Sequence, residues 1–153
     1  MNWFVIFFLI SRIDTFPVYI NPIFKLTDNT YKYGSNERKY YKKIMNYSGN
    51  VQDHHCIPRQ FRNHRLLREI EYNVDSAVNL KIMPIRRGIY VLNLDPQTLI
   101  HDRGHSQYNR FVGKQLAVIL KELSVDMKKY QFWLFLSFLK ENMQFNEADI
   151  PWL

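Results

Sequence analysis

Apolar and polar positions follow different rhythms along this chain, and each change of rhythm marks an element. The first thirty residues, from MNWFVIFFLI through VYINPIF, are apolar and aromatic. Pro17 and Pro22 interrupt them, which favours extended segments over a helix. The turn-rich TDNTYKYGSN then leads into NERKYYKKIMNY. There Ser35 or Asn36 serves as an N-cap, Glu37 suits the first turn and Gly49 supplies the stop, so a helix is predicted. Its Arg38, Lys39, Lys42 and Lys43 interleave with Tyr40, Tyr41 and Tyr47. That pattern fits a solvated helix with its tyrosines packed inward, and it also fits a surface that tracks a phosphate backbone. RQFRNHRLLREIEY reads as a short arginine-rich helix. AVNLKIMP and RGIYVLNL read as two short strands, with Pro84 and Gly88 marking breaks. From His105 onward the period is helical: Tyr108, Phe111, Val112, Leu116, Ile119 and Leu123 recur at three and four residues in one apolar stripe. A last helix, from about Asp126 to Asn142, is apolar on most sides around Trp133 to Leu139 and is expected to be docked. The chain shows no internal repeat and no low-complexity segment.

Composition changes this picture little. With 153 residues, 46% hydrophobic, 16% aromatic and 23% charged, the chain reads as globular and not disordered. That length is long enough to enclose a core, and one domain over 1–153 is expected. Charge changes the picture more. Lysine and arginine number 21 against 14 acids, a net charge of +7 with a pI near 9.5. Such a balance suits a polyanionic partner, either nucleic acid or an acidic membrane surface. The single cysteine, Cys56, excludes an intramolecular disulfide framework and a four-cysteine zinc site. The apolar run from Trp3 to Ile10 is too short to span a bilayer. It also lacks a charged n-region and a small-x-small cleavage site. A buried strand or short helix is the favoured reading, and an intracellular protein with it; a signal peptide is the alternative. FWLFLSFL near the C-terminus is again too short and has lysines on both sides, so no stable membrane span is expected.

The chemistry concentrates in the histidines. All five fall between residues 54 and 105, with an adjacent pair in QDHHCIPRQF and another pair in HDRGHSQYN. A neutral imidazole is both a ligand for divalent metals and a base with a pKa near neutrality. A ring nitrogen bound to metal cannot also take a proton, so two adjacent histidines can divide the two jobs. In an extended segment successive side chains point to opposite sides. One ring of the doublet then faces a metal and its neighbour faces a water in a substrate groove. His105 and Asn109 are four apart at the start of the amphipathic helix, and His101 and His105 share that spacing across Gly104. Either pair, joined to one histidine of the doublet, gives three protein ligands and leaves positions open for water and substrate. His64, in RNHRLL, reads as an ordinary satisfied histidine.

HHCIPRQF, AVNLKIMP and HDRGHSQYNRFV together resemble the AHH-type branch of the HNH/endonuclease VII nuclease superfamily, the His-Me or ββα-metal finger. The resemblance covers about residues 53–116. It implies an α+β fold with a ββα-metal core over 53–123, an N-terminal extension over 1–50 and a C-terminal docking helix over 124–153. It further implies that His54 is a metal ligand and His55 the general base. Asn79 takes the central asparagine position that fixes the loop carrying the base. His105 is a helix-borne ligand, with His101 or Asn109 completing the set, and Tyr108 is either a core residue or a phosphate contact. Two positions depart from the pattern: Asp53 stands where the branch has alanine, and Ser106 where members commonly have proline. Asp53 is placed either in the metal shell or as an orienter of a histidine. Cys56 replaces an aliphatic residue and is expected to pack inward.

The activity so implied is metal-dependent endonucleolytic hydrolysis of phosphodiesters, with one divalent ion: magnesium, manganese, zinc or nickel. Nucleic acid is the expected partner, DNA ahead of RNA. Arg59, Arg62, Arg65 and Arg68 lie near the doublet, and Arg103, Arg110 and Lys114 lie beside the second cluster, where they can neutralise flanking phosphates. Phosphate contacts carry no sequence information, so low sequence specificity is expected. The main rival is a non-catalytic nucleic-acid-binding protein with a structural metal; a toxin-like effector would use the same nuclease chemistry. An HHxxxD acyltransferase is excluded, because Arg59 occupies the aspartate position.

Overall fold

A computed structural model describes residues 31–101, 104–143 and 150–152. The apolar run from Trp3 to Ile10, the segments around Pro17 and Pro22, and Arg103 lie outside the described residues. The fold is α+β. Helix α1 (Asn36–Ile44) precedes strand β1 (Val51–His55), and α2 (Arg65–Glu69) separates it from β2 (Leu80–Pro84). Helices α3 (Arg86–Val91), α4 (Ser106–Ile119) and α5 (Val125–Asn142) follow. Short 3-10 turns at Arg59–Phe61 and Ala77–Asn79 lead into α2 and β2.

Three of the helix starts have a local cause in a capping side chain. Ser35 caps α1, its Oγ accepting from the Arg38 amide at 3.2 Å, and Glu37 lies in the first turn. Ser124 caps α5 in the same way through Met127. His64 caps α2, its Nδ1 accepting from the Leu66 amide at 3.2 Å, and so has the ordinary role its sequence context suggests.

The two strands pair antiparallel, with Val51 opposite Pro84, His54 opposite Lys81 and His55 opposite Leu80. Strand β2 is buried throughout. On one side Ile82 joins Tyr47, Val51, Ile89 and Leu94. The larger core packs α2, α4 and α5 through residues such as Leu67, Tyr108, Val112, Leu116, Phe132 and Leu139. Lys81 crosses into this region and donates to the carbonyl of Lys140, one of the last-turn acceptors of α5, and burial brings its ammonium down to about 8.

Four expectations need correction. RGIYVLNL is not a strand: Arg86–Val91 form α3, with Gly88 and Ile89 buried while Arg87, Tyr90 and Val91 are exposed, a helical and not an alternating pattern. Gly88 is a packing contact and not a break, since a Cβ there would lie 1.9 Å from the carbonyl oxygen of Asn50. The α4 stripe ends at Ile119, because the helix stops there and Leu123 projects fully into solvent. Helix α1 is not wholly a solvated basic face. Its Arg38 is buried, and Arg38 and Lys42 each lie 2.8 Å from one oxygen of Asp53, clamping α1 onto β1.

Candidate active site

Strand β1 carries the histidine doublet, and its alternation sends the two rings to opposite sides. Gln52 and His54 share one side, where they meet His101 and His105. One ring nitrogen from each of His54, His101 and His105 comes within 4.8 Å of the others. Their ring centroids are 5.1 Å apart for His54 and His101, 5.4 Å for His54 and His105, and 4.7 Å for His101 and His105. Hydrogen bonds place two of the rings. Nδ1 of His101 lies 2.7 Å from Oε1 of Gln52, and Nδ1 of His105 lies 3.3 Å from the carbonyl oxygen of Trp152. Both oxygens only accept, so both Nδ1 atoms donate, and Nε2 is then the nitrogen of each ring that could take a metal.

His54 itself is 4% exposed, and its Nε2 is buried with no hydrogen-bond partner among the described residues. Such an atom is costly to bury unless something satisfies it. Burial, reinforced by the neighbouring imidazoles of His101, His105 and His55, holds the His54 pKa well below its ordinary value. The ring is therefore neutral, which is the state a ligand requires. The donor set fits one divalent metal, with three imidazoles as ligands and further positions open.

His55 lies on the other side of the strand. Its Nε2 is 3.2 Å from Oδ1 of Asp75, and the edge of Tyr33 packs on its ring at 4.6 Å between centroids. Burial pushes its pKa down and the Asp75 carboxylate opposes this, with the balance below the ordinary value. Asp75 also receives Arg59 Nε at 3.0 Å and an Arg62 guanidinium nitrogen at 3.4 Å.

Asn79 is fully buried between these parts. Its Oδ1 accepts from the Ile57 amide at 2.7 Å, and its Nδ2 donates to the carbonyls of Ile57 at 2.9 Å and Val74 at 2.7 Å. Ile57 lies two residues after His55 and Val74 one residue before Asp75. One amide thus fixes both the loop that leaves His55 and the loop that presents Asp75, its carboxylate partner. Tyr108, also fully buried, donates to the carbonyl of Cys56 and is a core residue. Cys56 packs inward as expected, and burial pushes its thiol up to about 11.

The remaining sequence candidates are placed differently. His105 is the residue before α4, with φ −115° and ψ 55°, and the Asn109 side-chain amide on that helix faces Gln60 at 3.5 Å. Asp53 is held by Arg38 and Lys42 and lies outside the three-histidine cluster; burial raises its pKa, but these two partners more than reverse that. Arg110 and Lys114 are exposed on α4.

Sequence reasoning missed Gln52, Asp75 and Trp152. Gln52 was open to discovery, since it lies two residues before His54 on the same side of a strand. Asp75 and Trp152 carry no local signal.

A model of a nuclease family of the HNH/endonuclease VII superfamily, with a conserved AHH motif, matches residues 35–131 of this chain. That span is more than half of the sequence and extends beyond the motifs at both ends. No curated protein and no solved structure matches the chain.

Proposed function

The chain belongs to the AHH nuclease family of the HNH/endonuclease VII superfamily, and from that premise we propose that it is a metal-dependent endonuclease of low sequence specificity. The observation that carries this reading is the division of the doublet by β1: His54 faces His101 and His105, while His55 faces Asp75.

His54, His101 and His105 would hold one divalent ion, and Asn79 and Asn109 would not. Three imidazoles suit zinc, nickel or manganese more than magnesium. Bound there, the ion supplies Lewis-acid stabilisation of charge on the phosphoryl and leaving oxygens. His55 takes the proton of the attacking water. With Nε2 held by the Asp75 carboxylate, Nδ1 is the nitrogen that accepts it, and Asp75 stabilises the imidazolium that results. Asn79 positions the base by holding the Ile57 and Val74 loops. Arg59 and Arg62 flank His55, and together with Arg103, Arg110 and Lys114 they neutralise phosphates on either side of the cut. These contacts orient the backbone without reading bases, which makes low specificity the natural outcome. DNA is the first substrate to test.

The test is plasmid nicking by metal-stripped protein, with magnesium, manganese, nickel and zinc added in turn. Cleavage should return with metal. His55→Ala should lower it by about 10²- to 10⁴-fold, the usual worth of a general base, while metal affinity and melting temperature hold. A wild-type protein that binds metal but cuts neither DNA nor RNA would instead be a nucleic-acid-binding module.

A further inference from the structure

The C-terminal residues meet the histidine cluster although they are remote from it in sequence. Ile150 is buried in the main core and brings Trp152 back over the site. The indole lies 4.3 Å from the His105 ring and 5.0 Å from the His54 ring, centroid to centroid, and 5.3 Å from Tyr108. Its Nε1 donates to the carbonyl of Ile100 at 3.1 Å, beside His101. Its own main-chain carbonyl accepts from His105 Nδ1 at 3.3 Å. Trp152 therefore touches two histidines of the cluster and the backbone leading into the third.

We infer that Trp152 is a positioning residue of the metal centre: its carbonyl sets the tautomer of His105, and its indole forms the apolar wall that closes one side of the three-histidine cluster. This rests on the metal-centre reading above. A carbonyl can only accept, so it keeps the proton on Nδ1 and the lone pair on Nε2, which is the form a metal needs. The indole, anchored through Ile100, limits ring rotation of His54 and His105 and keeps water from that side. Partners of this kind around metal-binding histidines are typically worth about 10- to 100-fold in metal affinity.

Cobalt(II) tests this without reference to cleavage, because it binds histidine sites and quenches nearby indole fluorescence. Full-length protein should bind cobalt with a loss of tryptophan emission. With Trp3→Phe as the common background, Trp133→Phe should retain that loss and Trp152→Phe should abolish it. Removing residues 151–153 should weaken cobalt affinity by about 10- to 100-fold, whereas Trp152→Phe, which keeps the carbonyl and an aromatic ring, should stay within a few-fold of wild type. Unchanged affinity in the truncated chain, or quenching that persists in Trp152→Phe, would overturn the inference while leaving the three-histidine centre standing. Absence of cobalt binding by the intact chain would overturn the centre itself. The fluorescence comparison uses full-length protein throughout, so it remains decisive if truncation unfolds the chain.

Discussion

Asn79 shows how much one buried side chain can carry. It satisfies its carbonyl oxygen and both amide protons with three backbone groups, at Ile57 and Val74. Asn79→Ala would leave those groups buried without partners, at about 1–3 kcal/mol each where no water replaces the amide. The expected outcome is a stability loss of about 3 kcal/mol in urea denaturation, with cleavage falling further than stability alone accounts for, since both loops around His55 lose their tie. Asp75 acts differently. Asp75→Asn presents an amide that can donate to His55, which favours the wrong tautomer, and it releases Arg59 and Arg62 from their carboxylate. Turnover should fall by up to the full general-base contribution, about 10²- to 10⁴-fold, while KM for DNA stays level or drops because two guanidinium groups lose a carboxylate that competes with phosphate. A parallel fall in affinity and turnover would argue against this role. The division of His54 from His55 was legible in the sequence because strand alternation alone separates neighbours. Asp75 was not legible: it lies 20 residues beyond His55, and only the fold held by Asn79 brings the two together.

The elements were legible where one periodicity governed and failed where packing overrode it. Helix α4 followed from its stripe, and its buried Tyr108, Val112, Leu116 and Ile119 are four of the six residues that stripe selected. Helix α3 was misread because Ile89, Tyr90 and Val91 have β-forming side chains, and six residues are too few for a helical period to declare itself. Tertiary contact decides that case, through Gly88 against Asn50. Likewise α5 reads as apolar on most sides, yet only one face, with Phe132, Leu136 and Leu139, is buried, and Trp133 and Leu134 are exposed. The basic residues of α1 suggested a solvated helix, but the departure at Asp53 has turned two of them into a structural clamp on β1. Removing the acid of a buried charge cluster leaves its cations uncompensated, although Arg38 keeps its bond to the Tyr31 carbonyl. Asp53→Asn, which keeps the shape, should therefore cost about 3 kcal/mol, most of it from the buried Arg38, and lower the melting temperature with or without metal. Metal affinity of the protein that remains folded should be unchanged, because Asp53 sits on the side of β1 away from His101 and His105.

At the scale of the whole molecule, the three proposed ligands come from two stretches far apart in the chain: His54 from β1, and His101 and His105 from the segment that is hydrogen-bonded to Pro84 of β2 and leads into α4. The histidines sit where the sheet, α4 and the C-terminal residues converge, and the unfolded chain has no equivalent site. A bound ion should therefore act on the stability of the fold and not on the site alone. A ligand that binds only the native state stabilises it by about 2.7 kcal/mol at a concentration a hundredfold above its Kd. For a domain of this size each kcal/mol moves the melting temperature by about 2–4 °C, so zinc or nickel at that excess should raise it by roughly 5–10 °C. The two histidines of the doublet separate the possible causes. His54→Ala should remove the metal-dependent shift, because it removes a ligand. His55→Ala should retain the shift while losing cleavage, because its ring faces Asp75 on the opposite side of the strand. Thermal melts of both variants, with and without zinc, decide the matter. If His55→Ala also lost the shift, both rings would serve the ion and the division of labour across β1 would be wrong.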